Sequence, residues 1–413
     1  MGDIYNTKKR LKSIVSDIKQ ADYISPHNTE QILKFKNHLL AEGLSRHRTI
    51  RHLSSLKTLG KSIKFPLDQA EKHQIKEITA KINQSEINEK DYAPYTKNEF
   101  RKTLKKYYQY LTGEKKPEIV DFLRTSLKTN EEKEIDINTL PTPETVKKLL
   151  TACNNKRDEA LLFTLWDLGA RIGELLEIKW KDIQFGNELT TITVNGKTGE
   201  RHVSVYECVE TLKEWQDEHI AGDNPEAYVF SKTNSKEQLT SSAWHSQIRR
   251  IRKRTDISDQ VKVNPQKFRS GRATYLAKQG FNAVELMAYF GWKKFETARY
   301  YIKVAAQDLE NRVKTMHGLE ENKKEEQTDL RPIKCPHCQT INPASRDYCK
   351  NCNELISRTK ELFREVKKDE ILSETKDELM GELLERKGQI SKDDFQEIAH
   401  QKLEEKIEQR MGF

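Results

Sequence analysis

One stretch of this chain departs from the rest and constrains its fold most. Nearly everywhere the apolar residues recur with a helical period. At Leu189-Thr190-Thr191-Ile192-Thr193-Val194 and Arg201-His202-Val203-Ser204-Val205 the runs are β-rich. They flank Asn195-Gly196 and Gly199, which are turn residues, and so read as a β-hairpin with Lys197 at its tip. A β signal confined to a hairpin predicts a mainly α chain with a small β-sheet.

The helical pattern divides the remainder. Residues 1–26 read as an N-terminal helix or arm. Residues 27–113 read as a helical unit. Asn28 is a candidate cap for a helix carrying Ile32, Phe35 and Leu39, and Ser45 for one carrying Ile50, Leu53 and Leu56. Two more helices fit 67–83 and 97–112. Residues 114–140 are charged and poor in large apolar groups, as a linker would be, with a helix expected near 120–127. A second domain, 141–318, opens at Leu140-Pro141-Thr142-Pro143 with helices over 143–152 and 156–169, then the hairpin, then helices again. Residues 331–354 hold four cysteines. Residues 355–413 read as a charged helical tail in which Ser391-Lys392-Asp393-Asp394 resembles a capping box.

Charge points to a class of partner. The 413 residues carry a net charge of +9. From Leu355 onward there are 12 basic and 15 acidic side chains, so the tail is −3 and the body +12. A basic body favours a polyanion, nucleic acid above all. No run of about 18 apolar residues is present, so no membrane span is expected. The first 20 residues are basic and amphipathic without an apolar signal core, so a cytoplasmic location is expected.

Cys335-Pro336-His337-Cys338 and Cys349-Lys350-Asn351-Cys352 form two C-x2-C knuckles ten residues apart. That spacing suits four thiolates around one Zn²⁺, closed and therefore structural. A segment so short needs its metal to fold. Cys153 and Cys208 are isolated and read as small buried hydrophobes. The ribbon suits contact with either DNA or another protein, and Lys334, Arg346 and Lys350 tilt it towards DNA.

Five further groups lie far apart in sequence. They are Arg171 in Ala170-Arg171-Ile172-Gly173-Glu174-Leu175, Lys197, Arg269 in Gln266-Lys267-Phe268-Arg269, Trp292 in Tyr289-Phe290-Gly291-Trp292, and Tyr301. A phosphodiester resists attack because its charge repels nucleophiles. Two arginines can clamp the non-bridging oxygens and stabilise the extra charge of the transition state. A tyrosine can attack, but its pKa of about 10 means that its proton needs an acceptor. Lys197 suits either a general acid or a phosphate contact, and an indole N–H can donate to a phosphate oxygen.

These motifs, together with Arg157-Asp158-Glu159-Ala160-Leu161-Leu162, Gly196-Lys197-Thr198-Gly199-Glu200-Arg201 and Arg272-Ala273-Thr274, resemble the tyrosine recombinase (phage integrase) family, its archaeal members in particular. The resemblance covers about residues 27–318 and continues through the ribbon. It implies a helical, SAM-like core-binding domain over 27–113 and a mixed α/β catalytic domain over 141–318. It also implies a site-specific recombinase that cuts and rejoins double-stranded DNA through a 3′-phosphotyrosyl intermediate. The reaction would run in a homotetramer, with no metal, ATP or nucleotide cofactor in the chemistry. Arg171 and Arg269 would clamp the phosphate, Lys197 would protonate the leaving oxygen and Trp292 would buttress the tyrosine. The family's spacing of ten residues after Gly291 selects Tyr301 over Tyr300.

One position departs from the pattern. The family has His-x-x-Arg, often followed by a second His, where this chain has Gln266-Lys267-Phe268-Arg269-Ser270. Glutamine can donate a hydrogen bond to phosphate but cannot relay a proton near neutral pH. The alternative is therefore a DNA-binding accessory protein with an impaired site. Arg46, Arg48, Thr49, Arg51, Lys267 and Arg272 are the expected DNA contacts, and Glu174 the expected support of Arg171.

Overall fold

The computed structural model describes residues 3–126, 136–196, 199–305, 317 and 329–356. Lys197, residues 306–316, 318 and the tail helices expected from residue 357 onward lie outside the described residues. The chain separates into two compact units, Met1–Ile137 with Gln238–Trp244, and Asn138–Glu237 with His245–Phe413.

Among the described residues the first unit is built on the α-helices α1 Thr7–Lys19, α2 Pro26–Ala41, α3 Arg46–Leu59, α4 Lys72–Asn83 and α5 Pro94–Thr112. Their apolar stripes meet in one core holding Ile18, Ile32, Phe35, Leu39, Leu53, Leu56, Leu104 and Tyr107. The expected N-terminal arm is not separate: Ile14 and Ile18 of α1 belong to that core. Ser45 caps α3 as expected, accepting from the Arg48 N–H at 3.4 Å. Asn28 does not cap α2; Ser25 does, and Pro26 takes the first helical position. Asn28 is buried and ties the loop after α3, donating to the Phe65 carbonyl at 2.9 Å and accepting from the Leu67 N–H at 2.8 Å.

The expected helix at 67–83 is broken, because extended Ala70 and Glu71 part a 3-10 turn (Leu67–Gln69) from α4. Near the expected linker helix the structure shows a 3-10 turn at Glu118–Val120. Val120 and Leu123 are buried in the same core, so the linker's first part belongs to this unit.

The second unit opens with α6 Pro143–Thr151, α7 Lys156–Leu168 and α8 Ile172–Leu176. A three-stranded antiparallel sheet follows, β1 Ile183–Phe185, β2 Thr190–Gly196 and β3 Gly199–Val205, in the order β1-β2-β3. The hairpin register runs from Thr190 opposite Val205 to Gly196 opposite Gly199. Next come α9 Val209–Glu218, α10 Ser241–Arg252 (whose Ser241–Trp244 belong to the first unit), α11 Pro265–Lys278, α12 Ala283–Phe290 and α13 Phe295–Ala305, then the short strands β4 Ile333–Lys334 and β5 Ile341–Asn342. The axis of the unit is α7, whose Leu161, Leu162, Phe163, Leu165, Trp166 and Leu168 are all fully buried. A helix hydrophobic on every side belongs inside a fold.

Candidate active site and metal centre

The site forms where α7 ends. Gly169 closes α7 in the left-handed conformation (φ 56°), and a Cβ there would lie 2.4 Å from the Phe290 ring, so only glycine fits. The turn delivers Arg171 to the N-cap of α8. Its side chain is 43% exposed. Nη1 donates to Glu174 Oε1 at 2.5 Å, and the Arg171 N–H donates to Oε2 at 3.2 Å.

Glu174 also holds the hairpin. Oε2 accepts from Arg201 Nη2 at 3.0 Å. A Cβ at Gly196 would lie 2.5 Å from Oε1, so the end of β2 lies bare against the carboxylate. Burial disfavours the charge of Glu174, yet Arg201 and Arg171 outweigh it and hold the carboxyl below its usual range. The support expected of Glu174 is thus present, and it extends to a second arginine, Arg201, which in the sequence stands only as part of a motif. Arg201 Nε donates to the Tyr289 carbonyl at 3.3 Å. Its Nη1 is buried without a hydrogen-bond partner.

Arg269 is buried, with Nη1 on the Gly169 carbonyl at 2.8 Å and Nη2 on the Phe290 carbonyl at 2.5 Å. Its guanidinium lies 5.0 Å from the Phe290 ring centroid and 5.6 Å from that of Trp292. Burial, then Arg171 and Arg201, push its pKa well below the ordinary arginine value. Arg171, Arg201 and Arg269 against Glu174 leave a surplus of two positive charges, a field suited to a phosphodiester and to the second charge that its transition state gains.

Phe290, Trp292 and Tyr301 form a continuous stack, with centroids 4.7 and 5.2 Å apart and interplanar angles of 17° and 9°. The buried Tyr301 hydroxyl donates to Ser270 Oγ at 3.1 Å. Burial raises the Tyr301 pKa, while that hydrogen bond and Arg269 pull the other way. Tyr300 is half-buried and edge-on to Tyr301. Arg171, Arg269, Trp292 and Tyr301 therefore come together, while Lys197 lies outside the described residues. Gln266 is exposed on the first turn of α11. Ser270, noted in the sequence only as a lost histidine, is the residue that meets the tyrosine.

Two expected DNA contacts are corrected. Arg272 is buried, pairing with Asp167 at 2.7 Å and Glu207 at 2.9 Å, so its charge is spent inside the unit. Thr49 is fully buried and donates to the Ser45 carbonyl at 3.3 Å. Lys267 is half-buried with Nζ on Thr139 Oγ1 at 3.1 Å. Arg46 and Arg48 are exposed on the first turn of α3. Arg51 is also exposed, beside Tyr95 and Glu99.

The four cysteines converge. The Sγ atoms of Cys335, Cys338, Cys349 and Cys352 lie within 4.8 Å of one another. Cys335 to Cys352 and Cys338 to Cys349 are both 3.5 Å. Zinc–sulfur bonds of about 2.3 Å in a tetrahedron place sulfurs about 3.8 Å apart, so the cluster fits Zn²⁺. The knuckles match: Gln339 and Asn353, each following the second cysteine, both take positive φ (62° and 60°). Asn342 is fully buried and joins them, its amide nitrogen 3.5 Å from Cys349 Sγ and its oxygen accepting from the Lys350 N–H at 2.8 Å.

Residues 141–308 match the model of the phage integrase family. Tyrosine recombinase XerA of Saccharolobus solfataricus is 23% identical over 231 residues, 56% of this chain and 71% of that protein. Tyrosine recombinase XerA of Pyrococcus furiosus is 28% identical over 189 residues, 44% of this chain and 64% of that protein. In fold, the chain resembles XerH site-specific recombinase solved on its palindromic difH substrate, with a TM-score of 0.52 at 18% identity over 75% of this chain and 95% of that one. It also resembles lambda integrase solved as a dimer on a COC′ core site, with a TM-score of 0.52 at 17% identity over 68% of this chain and 78% of that one. Among the described residues no helix is long and apolar enough to cross a membrane.

Proposed function

We propose, on the premise that this chain belongs to the phage integrase (tyrosine recombinase) family, that it is a site-specific recombinase of double-stranded DNA. The observation that carries the reading is the arrangement of Tyr301 stacked on Trp292 beside the buried, carbonyl-anchored Arg269. Arg171 and Arg269 bind the scissile phosphate and offset the charge that builds on it. The Tyr301 oxygen attacks phosphorus, the bond to the 5′-oxygen breaks, and a 3′-phosphotyrosyl link forms. Lys197 gives the leaving 5′-oxygen its proton. The link retains the energy of the phosphodiester, so a 5′-hydroxyl from another strand reverses the step without ATP.

In place of the absent histidine, Ser270 Oγ takes the tyrosine's proton as it releases its own to water or to a phosphate oxygen that enters with the DNA. This route is supported by the hydrogen bond from Tyr301 to Ser270. The helical unit, 27–113, grips the duplex through Arg46, Arg48 and Arg51, and four copies assemble on paired sites. The products would be integration or excision of mobile DNA, or resolution of chromosome dimers.

A nicked duplex taken from DNA flanking the gene tests the proposal. Cleavage near the nick frees a short strand and strands the protein on DNA. A denaturation-resistant adduct in the native protein, absent in Arg269→Ala, is expected. Sequence-selective binding without any adduct would favour the accessory protein instead.

A further inference from the structure

Lys334 is exposed, but two other cations of the ribbon pair with carboxylates of the catalytic unit. Arg346 lies between β5 and the second knuckle, and its Nη2 pairs with Glu214 at 2.6 Å. Lys350 lies inside the second knuckle, and its Nζ pairs with Glu210 at 3.3 Å and approaches Glu214 at 3.8 Å. Ser345 Oγ donates to Glu159 on α7. Glu210 and Glu214 are 6% and 8% exposed and sit one turn apart on α9. Two carboxylates so placed repel each other and lose solvation. The catalytic unit supplies Lys213 and Lys156 as partners, and the ribbon supplies the other two cations.

We propose that the ribbon is an intramolecular clamp on the catalytic unit: the metal-organised second knuckle and the segment leading into it deliver Lys350 and Arg346 to the buried carboxylates of α9, and DNA is not their partner. The link from metal to clamp is short. Lys350 is flanked by Cys349 and Cys352, and the Asn342 that contacts Cys349 Sγ also fixes the Lys350 backbone. Losing the metal loosens that knuckle and withdraws both cations. The carboxylates they leave behind destabilise α9 and α7, which packs against it. Leu330, just ahead of the ribbon, is buried in the same unit and lines one cavity with Tyr206, Glu207 and Tyr275.

The test uses the full chain and does not require its recombination site. Four of the five tryptophans (Trp166, Trp180, Trp215 and Trp292) lie in the catalytic unit, so a tryptophan-fluorescence melt reports on it. A strong zinc chelator is expected to lower the native midpoint by about 4 °C or more. In Arg346→Ala/Lys350→Ala, which keeps all four cysteines, the chelator shift is expected to fall to about half or less, because metal and helix are uncoupled. Its affinity for a mixed-sequence duplex, and the salt dependence of that affinity, should match the native protein.

An undiminished chelator shift overturns the clamp. So does a loss of duplex affinity with a salt slope smaller by about 2, one for each lost phosphate contact. Should the double variant fail to fold, Glu214→Gln reads the same coupling from the helix side. A reduced chelator shift there supports the clamp, and an unchanged one overturns it.

Discussion

Glu174→Gln isolates how the site holds its arginines. The carboxylate is 5% exposed and accepts three hydrogen bonds, two from Arg171 and one from Arg201. Glutamine has nearly the same shape but offers one acceptor oxygen, and its NH₂ must face a guanidinium. At least one charged hydrogen bond is lost, worth about 1.5–3 kcal/mol. The surplus positive charge rises from two to three. Folding should weaken by roughly that amount, while affinity for DNA should hold or rise slightly, because the cluster gains positive charge.

The loss should appear in the chemical step. An unheld Arg171 is expected to slow adduct formation about 10- to 100-fold, equivalent to about 1.4–2.7 kcal/mol of barrier. The assay is single-turnover cleavage of a nicked duplex at saturating protein, beside a direct binding curve. Glu174→Asp, which keeps the charge, should recover part of the rate. The folded carboxyl lies below its usual range, so its contribution is present above the unfolded value of about 4.3 and is lost as pH falls through the folded one. The difference between native and variant stability should therefore be flat from pH 6 to 8 and shrink only in acid. Adduct formation within about twofold of native, or a slower rate matched by weaker binding, would refute the positioning argument.

Other substitutions separate structure from chemistry. Arg272→Met strands Asp167 and Glu207 in the interior and should cost about 3–5 kcal/mol of stability, read by denaturant melting, without a change in the salt dependence of DNA binding. Gln266→His should change adduct formation by less than about tenfold, well short of the roughly 10²–10⁴ that a new general base supplies, because the tyrosine hydroxyl already has Ser270 as its partner.

Much of this architecture was legible in the order of the residues. The hairpin, α6 and α7 showed themselves by period, and the knuckles by spacing. β1 has three residues, too few for a period. Asn28 looked like a cap because caps and buried polar ties use the same side chain, and only the loop around Phe65 and Leu67 distinguishes them. Charge hides its partners in a consistent way. Arg272 reads as a DNA contact, and Arg346 and Lys350 tilt the same way, because a sequence displays a cation but not the distant carboxylate that pairs with it. The carboxylates here are 65 or more positions away. Arg201 escaped notice for the converse reason: on a strand next to the tip lysine it reads as surface, and its role depends on Glu174, 27 residues earlier.

In the proposed reaction one phenol, Tyr301, carries the DNA strand. The direct measurement is to trap the adduct on a nicked duplex, digest protein and DNA, and locate the nucleotide-bearing tyrosine by mass spectrometry. The account predicts the mass on Tyr301 and no adduct from Tyr301→Phe, with DNA binding retained. A nucleotide on Tyr300, or an adduct that survives Tyr301→Phe, would contradict it.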